Sequence, residues 1–526
     1  MAKAIVIGAG FGGIAAALRL RAKGYEVTLI DKQDKLGGRA YVWKRNGFTF
    51  DAGPTVITAP FLFDELFELF GKNREDYVKF VPLYPWYRVQ FADKTFFDYG
   101  GTLEQTLENI RKFEPRDCDG YLKFLEHSQR IFDIGFVKLG DAKFDTFMSM
   151  IRCAPDLLKL GNWRSVYQMA SKYIKSEKLR RVFSFQPLLV GGNPFNTTSI
   201  YSLIHFLERE WGVHFAMGGT GAIVDALERL MREEGIEIRL GEEVTRIRST
   251  GFQPVLTPNH KNGLKTHATV AGVTLPNGEL LEAEVIAANA EPPWVYANLV
   301  DKKLRRGVAA RRIDSTVKPL KYSMGLFVLY FGTTKKYPDI KHHTIILGEK
   351  YKGLLTDMFD SKCLEWKDLS IYLHRPTATD ESMAPPGCDC WYVLVPVPNL
   401  QGGQDWQEIG PKYRDAVIDY LERTALPGLR ECITEDFYVT PEHFRDNLNS
   451  MHGAGFSIQP TFDQSAWFRF HNKAPGIEGL YFVGAGTHPG AGMPGVLCSA
   501  KVLDRYLPPL KPETRNQKSE SMTNPE

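Results

Sequence analysis

An α/β protein built around a parallel sheet, carrying a second domain of mixed sheet and a helical region, is what this sequence predicts on three observations. A β-branched run, Lys3 to Ile7, leads into the turn Gly8-x-Gly10-x-x-Gly13 and an Ala/Leu-rich stretch of helical periodicity, Phe11 to Lys23. A second apolar run from Glu26 to Asp31 completes a βαβ unit. Near the far end of the chain, Gly479 to Tyr506 again reads strand, glycine turn, helix.

The bulk properties fit that reading. A chain of 526 residues and 59.5 kDa exceeds what one hydrophobic core organises, so two or three intertwined domains are expected. With 43% hydrophobic and 24% charged residues it is neither disordered nor fibrous. A net charge of +3 is too balanced to imply a nucleic-acid partner. The seven cysteines are scattered with no CxxC pair, which implies reduced thiols, no disulfide framework and no metal site. The opening MAKAIVIGAG leaves no room for a secretion signal, and apolar runs such as Gly325 to Phe331 fall far short of the roughly 20 residues of a membrane-spanning helix.

Along the chain, Thr102 to Arg209 is mostly helical, with breaks or kinks expected at Pro115, Pro155, Pro187 and Pro194. Gly218 to Gly221 is a second glycine turn opening a helix over 222–234, followed by a strand from Ile236 to Leu240. Residues 249–285 read as a small antiparallel sheet leading to Glu284-Val-Ile-Ala-Ala288, and 315–470 as mixed strands and helices. The expected partition is a discontinuous nucleotide-binding domain (1–90, 215–300, 470–506), a helical region (91–214), a substrate domain (301–469) and a flexible tail (507–526) whose end is free of apolar clusters.

The strand before Gly8 and the helix after it supply the context that makes the glycine pattern a dinucleotide fingerprint. Gly8 allows the tight turn, Gly10 lets backbone approach a pyrophosphate, and Gly13 lets helix and strand pack closely. The helix N-terminus adds a positive dipole and free N–H groups. Asp31, 18 residues after Gly13, is placed to accept ribose hydroxyls and disfavours a 2′-phosphate, which excludes NADP and leaves NAD or FAD. Leu36-Gly37-Gly38-Arg39 and Asp51-Ala-Gly-Pro54-Thr55 extend the crevice beyond what an NAD dehydrogenase needs, which favours FAD. The segment Gly484-Ala-Gly486-Thr-His-Pro-Gly490-Ala-Gly492-Met-Pro494-Gly495-Val496 then reads as a loop feeding a helix. Aimed at the flavin pyrimidine edge, that helix N-terminus would stabilise an anion formed on reduction. Gly12, Lys32, Pro54, Thr55 and Gly495 lie in these same turns and complete the expected cofactor-binding set.

The runs VIGAGFGGIAAALRL, GGRA, DAGPT, FSFQPLLVGGNPF, SIYSLIHFLEREWGV, GGTGAIVDAL, QSAWFR and GLYFVGAGTHPGAGMPGV together resemble the phytoene desaturase family, within the amine-oxidase-like flavoprotein fold. The resemblance spans nearly the whole chain apart from its polar end. It implies FAD held by Gly8, Gly10, Gly13, Asp31, Gly38, Arg39, Val244, Gly484, Gly486 and Val496, peripheral membrane association, and stepwise desaturation of phytoene toward neurosporene or lycopene. Two departures stand out: His214 replaces an expected bulkier aromatic after EREWGV, and Ser149 stands where relatives carry an acid. The fold class is therefore α/β: a Rossmann-like FAD-binding domain, a mixed-sheet substrate domain and a helical membrane-associated region.

A polyene has no group to hydrogen-bond, so its site must be an apolar tunnel recognising length and shape. The expected chemistry is hydride loss from an allylic carbon to flavin N5, with proton loss from the adjacent carbon. Arg152, Glu208 and Arg209 are the catalytic candidates, with His205 beside them, as charged or titratable residues in apolar helical stretches. From Pro155 to Phe185, seven cations against Asp156 and Glu177 alternate with Leu157, Leu158, Trp163, Tyr167 and Ile174, which suits an interfacial helix on anionic lipid. The expected location is peripheral, on the cytoplasmic side of a membrane. With one dinucleotide fingerprint, electrons are expected to leave to a quinone or oxygen. A carotenoid isomerase and a flavin amine oxidase of the same fold are the competing readings.

Overall fold

The computed structural model describes residues 2–255, 265–313 and 315–510. Its first sheet is five-stranded and wholly parallel, in the order Leu480–Phe482, Val285–Ala288, Lys3–Ile7, Glu26–Asp31, Glu237–Leu240. Three distant segments of sequence thus build one sheet. Its strands are short and apolar because both faces are covered, as a parallel sheet requires. The helix Phe11–Ala22 packs on it and against the helix Met493–Lys501, with Ile14 to Leu18 wholly buried. Arg19, buried in the same helix, is neutralised by Asp504 at 2.7 Å and Glu65 at 3.0 Å.

The second sheet has seven strands: Ile433–Val439, Gly325–Thr333, Asp389–Val397, Ile371–His374, His343–Leu347, Tyr87–Phe91 and Phe96–Tyr99. Its pairs are antiparallel except His343–Leu347 with Tyr87–Phe91. All nine residues of Gly325–Thr333 are buried, which is why that run is continuously apolar rather than alternating. The chain gives Tyr87–Phe91 to this sheet, so it leaves the nucleotide-binding half before residue 90. A small sheet of Arg246–Val255, Lys265–Thr274 and Leu280–Glu282 is antiparallel, with Ile477–Glu478 added in parallel.

Helices Leu103–Phe113, Asp117–Phe132, Phe147–Lys159, Val166–Tyr173, Glu177–Val182 and Leu203–Trp211 make up the helical region. Pro155 does not break its helix: it sits inside Phe147–Lys159. The cationic stretch from Pro155 to Phe185 is not one interfacial helix. It crosses three helices, and Met169, Ile174, Leu179 and Val182 are buried in the core. Several of its cations are paired at home, Lys178 with Asp93, and Arg180 and Arg181 with Glu177. The tail expected from 507 is docked where described, Leu510 N–H donating to the Lys23 carbonyl at 2.9 Å; residues 511–526 lie outside the described residues.

Candidate functional site

The carboxyl ends of the parallel strands open onto a cavity of about 500 Å³ that continues under the seven-stranded sheet. Gly8, Gly10, Gly12, Asp31, Lys32, Gly38, Arg39, Pro54, Thr55, Val244, Gly484, Gly495 and Val496 all line it. This is where ligands of such sheets sit, because loops diverge there and helix N-termini converge. Gly13 and Gly486 stand behind the wall and act through packing. A Cβ on Gly13 would fall 1.9 Å from the Gly8 carbonyl oxygen, and one on Gly486 would fall 2.4 Å from Pro292 Cδ.

The cradle fits a dinucleotide. Gly10 caps the helix Phe11–Ala22 with no side-chain hydrogen bond, so the N–H groups of its first turn face the cavity free of a capping oxygen. A Cβ on Gly12 would lie 2.4 Å from Asn289 Oδ1, which keeps this stretch of backbone bare. The Asp31 carboxylate accepts one bond from Ala9 N–H at 2.6 Å and one from Gln33 N–H at 2.8 Å, leaving lone pairs for hydroxyl donors. Burial raises its pKa, and the two backbone donors pull the other way. Packed beside it, the helix Met493–Lys501 starts after Gly492 and presents Met493 to Val496 to the same cavity.

Two anchors were not anticipated. Glu291, wholly buried, accepts from Arg39 Nη2 at 2.8 Å, from Ser450 Oγ at 2.7 Å and from Met451 N–H at 3.3 Å. Asn289 packs its amide against Gly10, Gly12 and Gly484. Both follow the strand Val285–Ala288 directly, and a polar pair at the carboxyl end of a buried strand is the signal that would have found them. Asp51, from the DAGPT turn, holds structure together: its carboxylate accepts the Thr220 and Gly221 N–H groups at the start of helix Thr220–Glu233. Burial pushes its pKa up to about 6 despite those bonds.

Beyond the cradle the walls turn apolar, with Phe136, Leu139, Leu188, Ile204, Met324, Leu347 and Phe456 among them. The helix Leu203–Trp211 places Leu203, Ile204, Leu207 and Glu208 on this wall. Glu208 is thus a carboxyl in a largely hydrocarbon surround. Tyr87 Oη donates to its Oε1 at 2.8 Å, while Oε2 is buried without a hydrogen-bond partner among the described residues. Burial pushes its pKa up to about 8, against the opposing pull of the Tyr87 hydroxyl and the Gln186 amide.

The other catalytic candidates lie elsewhere. Arg152 is exposed and absent from the cavity wall. Arg209, one residue past Glu208, points a different way on the helix. It donates to the Gly101 carbonyl at 2.8 Å and to Thr106 Oγ1 at 3.1 Å, and lies over the Trp86 ring. His205 stacks on Tyr99 among Tyr121, Phe124 and Phe183, and burial pushes its pKa down to about 3. His214 is also away from the cavity, in the short strand His214–Ala216, its N–H donating to the Ile57 carbonyl. Ser149 lies in the first turn of helix Phe147–Lys159, its N–H and Oγ both bonded to Thr146.

Comparison with known proteins agrees with this geometry. Residues 11–501 match the family model for flavin-containing amine oxidoreductases. The chain is 45% identical over 502 residues to a lycopene-forming phytoene desaturase of Pseudescherichia vulneris, covering 95% of this chain and 98% of that one. It is 41% identical over 511 residues to a neurosporene-forming phytoene desaturase of Cereibacter sphaeroides, covering 96% and 94%. Among solved structures, wild-type putrescine oxidase bound to putrescine superposes with a TM-score of 0.59 at 12% identity, covering 96% of this chain and 99% of that one, a likeness of fold alone. The cofactor of such a fold is FAD, and the glycine cradle, Asp31 and the Arg39–Glu291 pair fit it. The chain belongs to the flavin-containing amine oxidoreductase family and, within it, to the bacterial-type phytoene desaturases.

Proposed function

We propose that this enzyme introduces double bonds into phytoene, toward neurosporene or lycopene, at a membrane surface. The observation that carries the proposal is one cavity running from a dinucleotide cradle into an apolar chamber whose buried carboxyl is Glu208. Hydrocarbon walls select a substrate by shape and length. That argues against a polar amine as substrate.

FAD, when bound, supplies an acceptor for the hydride that leaves an allylic carbon. Gly8, Gly10, Gly12, Asp31, Gly38, Arg39, Gly484 and Val496 would hold it, with Lys32, Pro54, Thr55, Val244 and Gly495 beside them. The rest of the chemistry falls to this chain. The apolar walls exclude water from a carbocation that water would trap. Glu208 Oε2 accepts the proton lost from the neighbouring carbon, so a C–H pair becomes a C=C bond with every electron accounted for. Tyr87 positions that carboxylate and favours its charged form.

Access from lipid rests on the helix Phe147–Lys159. Leu157 lines the cavity, while Phe147, Met148, Ile151 and Leu158 of the same helix are exposed, with Trp163 just beyond. An apolar outer face joined to the cavity wall is what a lipid-dissolved substrate requires. Electrons would pass on to a quinone or oxygen.

The test is anaerobic incubation of the FAD-loaded protein with phytoene in liposomes, with and without a quinone, following product spectra. New long-wavelength bands from extended conjugation are expected with the quinone. A product that keeps the starting conjugation would assign an isomerase instead.

A further inference from the structure

Outside that site, three imidazoles from two adjacent strands of the seven-stranded sheet converge in the interior. His343 opens the strand His343–Leu347, His342 precedes it, and His374 closes the paired strand Ile371–His374, where it lies opposite His343. All three are buried, and each offers a ring nitrogen within 4.8 Å of the other two. The rings pack at 4.6 to 5.2 Å between centroids.

Their hydrogen bonding is incomplete in a patterned way. His342 Nδ1 pairs with Thr379 Oγ1 at 2.7 Å, and His343 Nδ1 with Tyr372 Oη at 2.7 Å. The Nε2 atoms of His342 and His343 and both nitrogens of His374 have no partner among the described residues. A buried polar atom left so is costly unless something binds it. Burial pushes all three imidazoles toward the neutral form, with lone pairs available. His342 and His343 thus have the arrangement of ligating histidines, one nitrogen held by an outer partner and the other left open, while His374 has both nitrogens open.

We propose that His342, His343 and His374 form a site for a divalent transition-metal ion of the zinc class, bound through three imidazole nitrogens. A water completes four-coordination. Arg375, whose charge bears on His342, is paired with buried Asp389 at 3.3 Å, which limits its repulsion of an ion. Zinc–nitrogen bonds of about 2.0–2.1 Å bring tetrahedral ligands to about 3.4 Å apart, so the rings close in slightly on binding. The ion ties the two strands together and sets a direction of hydrogen bonding. Metal on His343 Nε2 leaves the proton on Nδ1, which donates to Tyr372 Oη, and Tyr372 then donates to Thr55 Oγ1, 2.7 Å away in the cavity wall. The proposal does not depend on the carotenoid reading.

The experiment uses tag-free, FAD-loaded protein incubated with Zn2+ and desalted, followed by elemental analysis. About one zinc per chain is expected for the wild type and near none for H342Q/H374Q, with flavin content unchanged in both. A wild type that keeps no zinc, or a double variant that keeps as much, overturns the site. If the variant loses its flavin, X-ray absorption of the zinc-loaded wild type decides. A shell containing three imidazole nitrogens at about 2.0–2.1 Å supports the site, and a shell without imidazole sinks it.

Discussion

The Tyr87 hydroxyl and the Glu208 carboxyl meet at 2.8 Å from different parts of the chain, both wholly buried. Tyr87 comes from the seven-stranded sheet and Glu208 from the helix Leu203–Trp211, so the pair joins that sheet to the helix on the cavity wall. The bond favours the charged carboxyl in a surround that disfavours charge.

If Glu208 is the proton acceptor, its active form is the carboxylate. With a pKa pushed up to about 8, the desaturation rate should rise as pH increases through that value. Glu208→Gln should lower kcat by about 10²–10⁴-fold and abolish the rise, as steady-state pH profiles would show.

Tyr87→Phe removes a donor to the carboxylate, so the Glu208 pKa moves further up. The rising limb should shift by roughly one pH unit to the alkaline side, for a lost bond of about 1.5 kcal/mol. An unshifted profile would mean that Tyr87 serves packing alone.

Gly13→Ala would set a Cβ 1.9 Å from the Gly8 carbonyl oxygen, a contact that only backbone movement relieves. The expected result is a chain purified without bound flavin, destabilised by about 1–3 kcal/mol or more, read from absorbance and thermal unfolding.

Asp31→Asn keeps the shape but removes the charge that strengthens hydrogen bonds from hydroxyls. FAD affinity of the apoprotein should fall by about tenfold or more, measured by quenching of flavin fluorescence. Unfolding midpoints would separate this from any loss of the Ala9 and Gln33 bonds.

Ile151→Glu combined with Leu158→Glu places two charges on the exposed face of helix Phe147–Lys159. Liposome flotation should drop by about 100-fold or more in partition coefficient, since each of the two apolar side chains contributes about 1.5–3 kcal/mol. Charge reversal at Lys172 and Lys175 should matter less, and only on anionic vesicles.

The dinucleotide half was legible because its determinants are local. Glycines at Gly8, Gly10 and Gly13 and the acid ending Glu26–Asp31 encode a turn whose geometry depends on few neighbours. The glycine-dense approach to helix Met493–Lys501 was legible for the same reason. Other features depended on which distant surfaces meet. Glu208 and Arg209 are adjacent in sequence and equally polar, yet only the first faces the cavity, because a step of one residue turns a helix by about 100°. Arg152 and the cationic stretch looked functional from composition, while packing left Arg152 in solvent and buried Met169, Ile174, Leu179 and Val182 of that stretch. His374 lies some thirty residues beyond the adjacent His342 and His343, and the three carry no spacing motif; strand pairing brings them together. Backbone geometry is written in neighbouring residues, whereas burial and the pairing of distant side chains are set by the whole packed chain.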